Sequence, residues 1–244
     1  LENLGHHAKL ICGIGYDLAG ELVFQKAQKH GVDTSEIVRL NTLKTPIANL
    51  TVDKEGSRVS CNSPATMLDG YLPQLKDLEG VKVVSLASLF RAPLDQKDTI
   101  LTLVRTAKEA GAVVCADTKI PTFRKLALSD LSEVLPLIDY IFPNEKEAEY
   151  MTGKKDYLEM ATELRRMGLR NVILKTGKHG CTVCSETTQF TLPAKAVKAI
   201  DSTGAGDNFV AGFISGLLLG ESLQDCCNHG ITCAAACVQR MGAI

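Results

Sequence analysis

Short apolar runs alternate with segments of helical periodicity along most of the chain. Lys9-Leu10-Ile11-Cys12-Gly13-Ile14-Gly15 ends in glycines and predicts a buried strand leading into a turn. Residues 18–30 carry Leu22, Val23 and Ala27 on one helical face, and Gly31 closes that helix. The stretch 45–60 is wetter: Ile47, Asn49 and Thr51, then Asp53-Lys54-Glu55-Gly56, then Arg58, Val59 and Ser60. It predicts two strands around a polar turn, a flap with one face in water.

From Val81 onward strand and helix alternate. Strands are predicted at 81–86, 112–117, 140–142 and 172–175, with a meander over 182–184 and 189–192. Helices are predicted at 98–110, 131–137, 145–151, 157–167, 205–219 and the alanine-rich 223–239. Apolar strands separated by helices imply an α/β fold, its mostly parallel sheet covered on both faces. Such sheets bind ligands at the carboxyl ends of their strands, where Gly15, Asp117, Asn144 and Gly177 fall. No linker or repeat interrupts the pattern, so residues 1–244 read as one domain, with residues 43–61 contributing to the flap.

The net charge of −1 leaves no electrostatic footprint for nucleic acid or an anionic membrane. No apolar run approaches the length of a membrane span. Nine cysteines, an odd number scattered through apolar segments, read as reduced thiols in a cytoplasmic protein. Cys181 and Cys184 have CxxC spacing without a second pair, which cannot complete a structural zinc site. Cys226 and Cys227 are adjacent and are expected to face different surroundings on a helix.

Chemistry concentrates in Asp201-Ser202-Thr203-Gly204-Ala205-Gly206-Asp207, a small-residue turn running into Phe209, Val210, Phe213, Ile214, Leu217 and Leu218. A turn without bulk admits a ligand close to the backbone, and a helix start offers unpaired N–H groups to an anion. Asp207 then either caps the helix or serves as base beside a bound phosphoryl group. There is no Walker A pattern. Pro143-Asn144-Glu145-Lys146-Glu147 follows a strand, and its amide and carboxylate oxygens suit Mg²⁺ held largely through water, or else a turn and helix cap. Lys175-Thr176-Gly177-Lys178-His179-Gly180 is a strand end with two glycines and two lysines, and Gly5 and Gly15 bracket the first strand.

Together these residues resemble the ribokinase-like family of sugar and nucleoside kinases, also called the phosphofructokinase-B family. The stretch 201–214 is similar to its C-terminal signature, Asn144 and Glu147 to its NxxE motif, residues 175–180 to its nucleotide loop, and Gly5 with Gly15 to the tail of its N-terminal signature. The resemblance implies a three-layer sandwich with a small β lid and ATP-dependent phosphorylation of a sugar-like hydroxyl. Asp207 would be the base, and Gly204, Ala205 and Gly206 the anion hole. It implies Mg²⁺ at Asn144 and Glu147, and in some members a monovalent cation such as K⁺ at Asp201 and the Thr203 carbonyl. Lys175, Gly177, Lys178 and Gly180, with Asn144 and Thr203, would lie on the nucleotide side. His229 on the last helix fits either the adenine side or a structural role. Ser88, Asp117, Lys119 and Arg124 lie on segments that members use near the sugar, and Asn49 and Thr51 of the flap are further candidates. These residues do not select among a sugar, a sugar acid, a sugar phosphate and a nucleoside as substrate. By the same resemblance, the di-glycine and asparagine that grip the sugar would precede Leu1, and a last loop and helix would follow Ile244. The chain is thus expected to be part of a longer enzyme. The free edges of the flap imply a homodimer paired through it. The alternative function is a catalytically silent member that binds sugar or nucleotide as a regulatory module.

Overall fold

The computed structural model describes residues 1–52, 58–62 and 70–242. Six strands form the central sheet: β5 (Val83–Leu89), β6 (Val113–Thr118), β7 (Tyr140–Phe142), β8 (Asn171–Lys175), β9 (Cys181–Cys184) and β10 (Gln189–Leu192). They lie in the order β10-β9-β8-β7-β6-β5, parallel from β5 to β8 and antiparallel from β8 to β10. Period-two patterning divides each strand between two cores. Val114, Ala116, Ile141, Val172 and Leu174 face one core, while Cys115, Phe142, Ile173, Cys181 and Val183 face the other.

The first core is closed by α2 (Lys97–Glu109), α3 (Glu145–Thr152) and α4 (Tyr157–Arg166), through Ile100, Leu103, Ala148, Met160 and Leu164. The second is closed by α5 (Ala205–Leu218) and α6 (Leu223–Cys237). Phe213 of α5 is fully buried there, edge-on to Tyr140 and Phe142 with ring centroids 5.1 and 4.9 Å away. Burial of such a ring stabilises by about 1.5–3 kcal/mol. Cys226 and Cys227 both enter this core, contrary to the expectation of different surroundings. The start of α6 packs so tightly that consecutive side chains are both enclosed.

Helices α5 and α6 touch backbone to backbone. A Cβ on Gly212 would lie 2.6 Å from the His229 carbonyl oxygen, and one on Gly230 2.8 Å from that of Phe209. On Gly216 it would lie 2.8 Å from the Cys226 Cα.

Two smaller pairs stand apart from the central sheet. The strands β1 (Cys12–Gly15) and β2 (Ile37–Leu40) run parallel, and β3 (Ala48–Val52) and β4 (Arg58–Asn62) form the antiparallel ribbon expected of the flap. The turn residues expected at 53–57 lie outside the described part of the chain. A cavity of about 930 Å³ separates the edges of β1 and β5, with Cys12 and Gly13 on one side and Val83 to Ala87 on the other. Leu103 of α2 and Ile214 and Leu218 of α5 also line it.

At the carboxyl end of β1, Asp17 organises the entry to α1 (Leu18–Lys29). Its Oδ1 accepts from the Gly20 N–H and its Oδ2 from the Thr45 N–H, both at 2.8 Å, while the Gly15 N–H donates to Thr45 Oγ1, also at 2.8 Å. Two expectations fail nearby and further on. The apolar face of α1 is largely in solvent, with Leu22 57% and Val23 40% exposed. The segment 131–137 is no α-helix but part of two 3₁₀ turns, Leu128–Leu131 and Leu135–Leu137, the second with Pro136 in its first turn. Proline there removes a donor and excludes a regular helical entry from the residues before it.

Candidate active site

The ends of β5 through β8 and the start of α5 converge on one cluster. Gly204 caps α5 in the left-handed conformation (φ 76°), which turns the chain sharply into the helix. The Ala205 N–H folds back to the Ser202 carbonyl at 3.2 Å. The Gly206 and Asp207 amides, in the first helical turn, have no intrahelical acceptor. Asp207 does not cap: it is exposed, and among the described residues its carboxylate has no hydrogen-bond partner.

Asn144 and Glu147 form a reciprocal cap at the start of α3. Glu147 Oε2 accepts from the Asn144 N–H at 2.9 Å and from Thr118 Oγ1 at 2.8 Å, Oε1 accepts from Asn144 Nδ2 at 2.7 Å, and the Glu147 N–H donates to Asn144 Oδ1 at 3.0 Å. Burial pushes the Glu147 carboxyl above the usual carboxylate range, against the opposing pull of these hydrogen bonds and of Lys119 and Lys175. The cap and the metal-side reading share the same atoms. Oε2 already accepts twice, but Glu147 Oε1 and Asn144 Oδ1 each accept once and retain a lone pair for a water, which fits a hydrated divalent ion rather than a closed cage of protein ligands. Among the described residues, no group of three or more histidine, cysteine or acidic side chains is placed to hold a metal by itself.

Lys175 ends β8 and bridges in parallel to Asn144. Its Nζ lies 2.5 Å from Asp117 Oδ1, and Lys119 Nζ lies 3.5 Å from Asp117 Oδ2. The Lys175 Nζ is also 3.3 Å from where a Cβ on Gly206 would stand. Gly177, Lys178 and His179 make an exposed 3₁₀ turn, and Gly180 behind them is buried.

The structure does not bring every expected residue to this cluster. Asp201 Oδ1 accepts from the Thr203 N–H and Oγ1 at 2.9 and 2.7 Å, and its Oδ2 accepts from the Gly242 N–H at 3.0 Å. The Thr203 carbonyl accepts from Cys237 Sγ at 3.3 Å. His229 is paired with Glu221 in the turn between α5 and α6, at 3.1 Å, about 12 Å along α5 from Gly204 by helical rise. Arg124 binds the buried Asp95 at 3.0 Å and stacks on Phe123. Asn49 and Thr51 are exposed on the separate ribbon.

Ser88 is placed near the end of β5, within the register shift between Leu86 and Leu89. Ser88 and Phe90 both adopt positive φ, 69° and 72°. Strain of this kind in non-glycine residues costs about 1–3 kcal/mol each and clusters at binding sites. Thr118, which ties β6 to Glu147, was not singled out from the sequence. Its only signal was its place directly after Asp117.

No helix among the described residues is long and apolar enough to cross a membrane. The profile of the pfkB family carbohydrate kinases matches residues 1–244. An uncharacterized sugar kinase of Archaeoglobus fulgidus is 27% identical over 243 residues, covering 100% of this chain and 96% of that protein. Ribokinase of Haemophilus influenzae is 28% identical, covering 98% of this chain and 78% of its own length. A putative ribokinase II of E. coli, solved in complex with ATP and Mg²⁺, superposes with a TM-score of 0.82 at 26% identity, covering 99% of this chain and 80% of that one. The fold is ribokinase-like, and the chain belongs to the pfkB family of carbohydrate kinases.

Proposed function

We propose that this protein transfers the γ-phosphoryl group of ATP to a hydroxyl of a sugar or sugar-like small molecule, with Asp207 as the general base. The observation that carries the reading is the start of α5: a left-handed Gly204, first-turn amides without intrahelical acceptors, and an uncommitted carboxylate beside them. A carboxylate engaged in capping would be a poor proton acceptor, whereas Asp207 is open to a substrate hydroxyl. The amides of Gly206 and Asp207 would stabilise charge on the transferring group. Ala205, whose N–H is already used, contributes its small size.

The nucleotide would lie over Lys175, Gly177, Lys178 and Gly180; the E. coli relative, solved with ATP and Mg²⁺, supports a nucleotide as the ligand. Asn144 and Glu147 would hold Mg²⁺ through water; when bound, the ion neutralises phosphate charge. Asp201 and the Thr203 carbonyl are less suited to a K⁺ site, because each already accepts hydrogen bonds. On the sugar side the strained Ser88 is the better-supported contact. A homodimer through the β3–β4 ribbon is part of the same proposal. The two strands pair with each other and, among the described residues, leave their outer edges open.

The test is a coupled ADP-release assay of the full-length protein across sugars, sugar acids, sugar phosphates and nucleosides. At least one acceptor should support turnover, and Asp207→Asn should lower kcat by about 10²–10⁴-fold with nucleotide affinity kept. Turnover of Asp207→Asn near that of wild type would overturn the assignment of the base.

A further inference from the structure

The residue pair Lys175 and Asp117 spans the site from β8 to β6, across the end of β7. Both side chains are nearly enclosed, 12% and 7% exposed. Asp117 is already committed, with Lys175 on one oxygen and Lys119 near the other. A carboxylate so engaged is poorly placed to grip a neutral sugar hydroxyl. The ammonium, by contrast, stands over the first turn of α5, 3.3 Å from the Cβ position of Gly206, whose amide belongs to the anion hole. Through its bridge to Asn144, Lys175 is also tied to the metal-side cap.

We infer that Lys175 is a catalytic residue that contacts the phosphoryl group in flight, and that Asp117 is its positioning residue rather than a sugar ligand. The inference rests on the kinase reading above. In the transfer, the sugar oxygen forms a bond to the γ-phosphorus and the bond from that phosphorus to the β,γ-bridging oxygen breaks. ADP leaves with that electron pair, and the hydroxyl proton passes to Asp207. Charge is spread over the equatorial oxygens during this step, and fixed donors stabilise it without reorganisation. Lys175, held against Asp117, supplies ammonium donors at that place, and its side chain is itself largely shielded from water. Asp117 holds the long lysine chain in one orientation, sparing the entropy of fixing it at each turnover.

A merely structural ion pair and this role differ in what the variants do. In the full-length protein, Lys175→Met should lower kcat by about 10²-fold, as loss of one preorganised donor does, with acceptor KM within about threefold of wild type. Asp117→Asn, near-isosteric and still able to accept from Lys175, should lower kcat about tenfold, again with KM within about threefold. A rise in acceptor KM at unchanged kcat in Asp117→Asn would overturn the inference and return Asp117 to the sugar side. So would Lys175→Met with kcat within about threefold of wild type. The binding of ADP with aluminium fluoride, a mimic of the transferring phosphoryl group, needs no acceptor. Lys175→Met should lose the gain in ADP affinity that fluoroaluminate confers on wild type while binding ADP alone normally, and an unchanged gain would refute the role. Should Lys175→Met fail to fold, the same fluoroaluminate measurement on Asp117→Asn decides, a reduced gain supporting the role and an unchanged one refuting it. Wild type that phosphorylates no acceptor counts against the proposed function alone, because the fluoroaluminate comparison still tests Lys175.

Discussion

Gly180 offers a stringent check on the geometry behind the Gly177–His179 turn. Its backbone sits at φ 98°, ψ −121°, and a Cβ there would lie 1.9 Å from the Leu192 carbonyl oxygen and 2.7 Å from Ala194 N. Neither neighbour is a side chain that can rotate away, and Leu192 is the last residue of β10, held in register opposite Cys181. Gly180 lies outside the left-handed helical well, so Gly180→Ala incurs a backbone cost of about 1–3 kcal/mol and an overpacking cost of about 1–3 kcal/mol. Contact with fixed main chain at so short a range puts the sum in the upper half of that range, about 4–5 kcal/mol. Gly177 is the internal control: it has φ 55° and nothing within 4 Å of its Cβ position. Gly177→Ala meets the backbone cost alone, about 1–2 kcal/mol. At roughly 2–4 °C per kcal/mol for a chain of this size, Gly180→Ala should melt roughly 6–12 °C below Gly177→Ala. Thermal unfolding followed by circular dichroism, on the two variants and wild type at one protein concentration, measures that gap. Melting of the two variants within 2 °C of each other, on that same scale of roughly 2–4 °C per kcal/mol, would refute the reasoning.

Asp17 gives a pH prediction. Hydrogen bonds from the Gly20 and Thr45 backbones hold its carboxyl below the ordinary carboxylate range. Its contribution to stability is thus present above that range and is lost as pH falls through and below it. Asp17→Asn should flatten the acid limb of a melting-temperature profile, and an unchanged limb would remove Asp17 from the account. For the ribbon, a proline at Thr51 should shift the mass of the full-length protein by light scattering from dimer toward monomer; a wild-type monomer would exclude pairing through this edge.

Much of the central sheet was legible because its strands are short apolar runs bounded by glycine or an acid. Val113–Thr118 and Asn171–Lys175 lie within a residue of their expected positions. β2 was missed because Ile37-Val38-Arg39-Leu40 is four residues long, half-buried to exposed, and paired only with β1. The turns at 128–137 looked helical because Leu131, Val134, Leu135 and Ile138 repeat at helical spacing, and all four are buried. Their spacing reports burial, while Pro136 decides the backbone. At the site, the start of α5 could be read locally because all its parts are neighbours in sequence. The Lys175–Asp117 pair could not, since 58 residues separate the two and only the parallel sheet brings their strand ends together. The role of Asn144 and Glu147 as a cap was one of two readings of a single spacing. The hydrogen bond from Thr118 that completes it is visible only in three dimensions.

The backbone contact between α5 and α6 has a consequence for anyone who would re-engineer this protein. Where Gly212, Gly216 and Gly230 bring main chain against main chain, the nearest atom a substituent would meet is backbone, which cannot rotate away. The helix that begins at Gly204 is thus braced by a neighbour at backbone contact distance rather than by adjustable rotamers. The pair is the fixed frame of the machine. On the proposed function, changes of specificity belong at the ends of β5 and β6, whereas a methyl group added at Gly230 on the inner face of α6 would press on Phe209, two residues from Asp207.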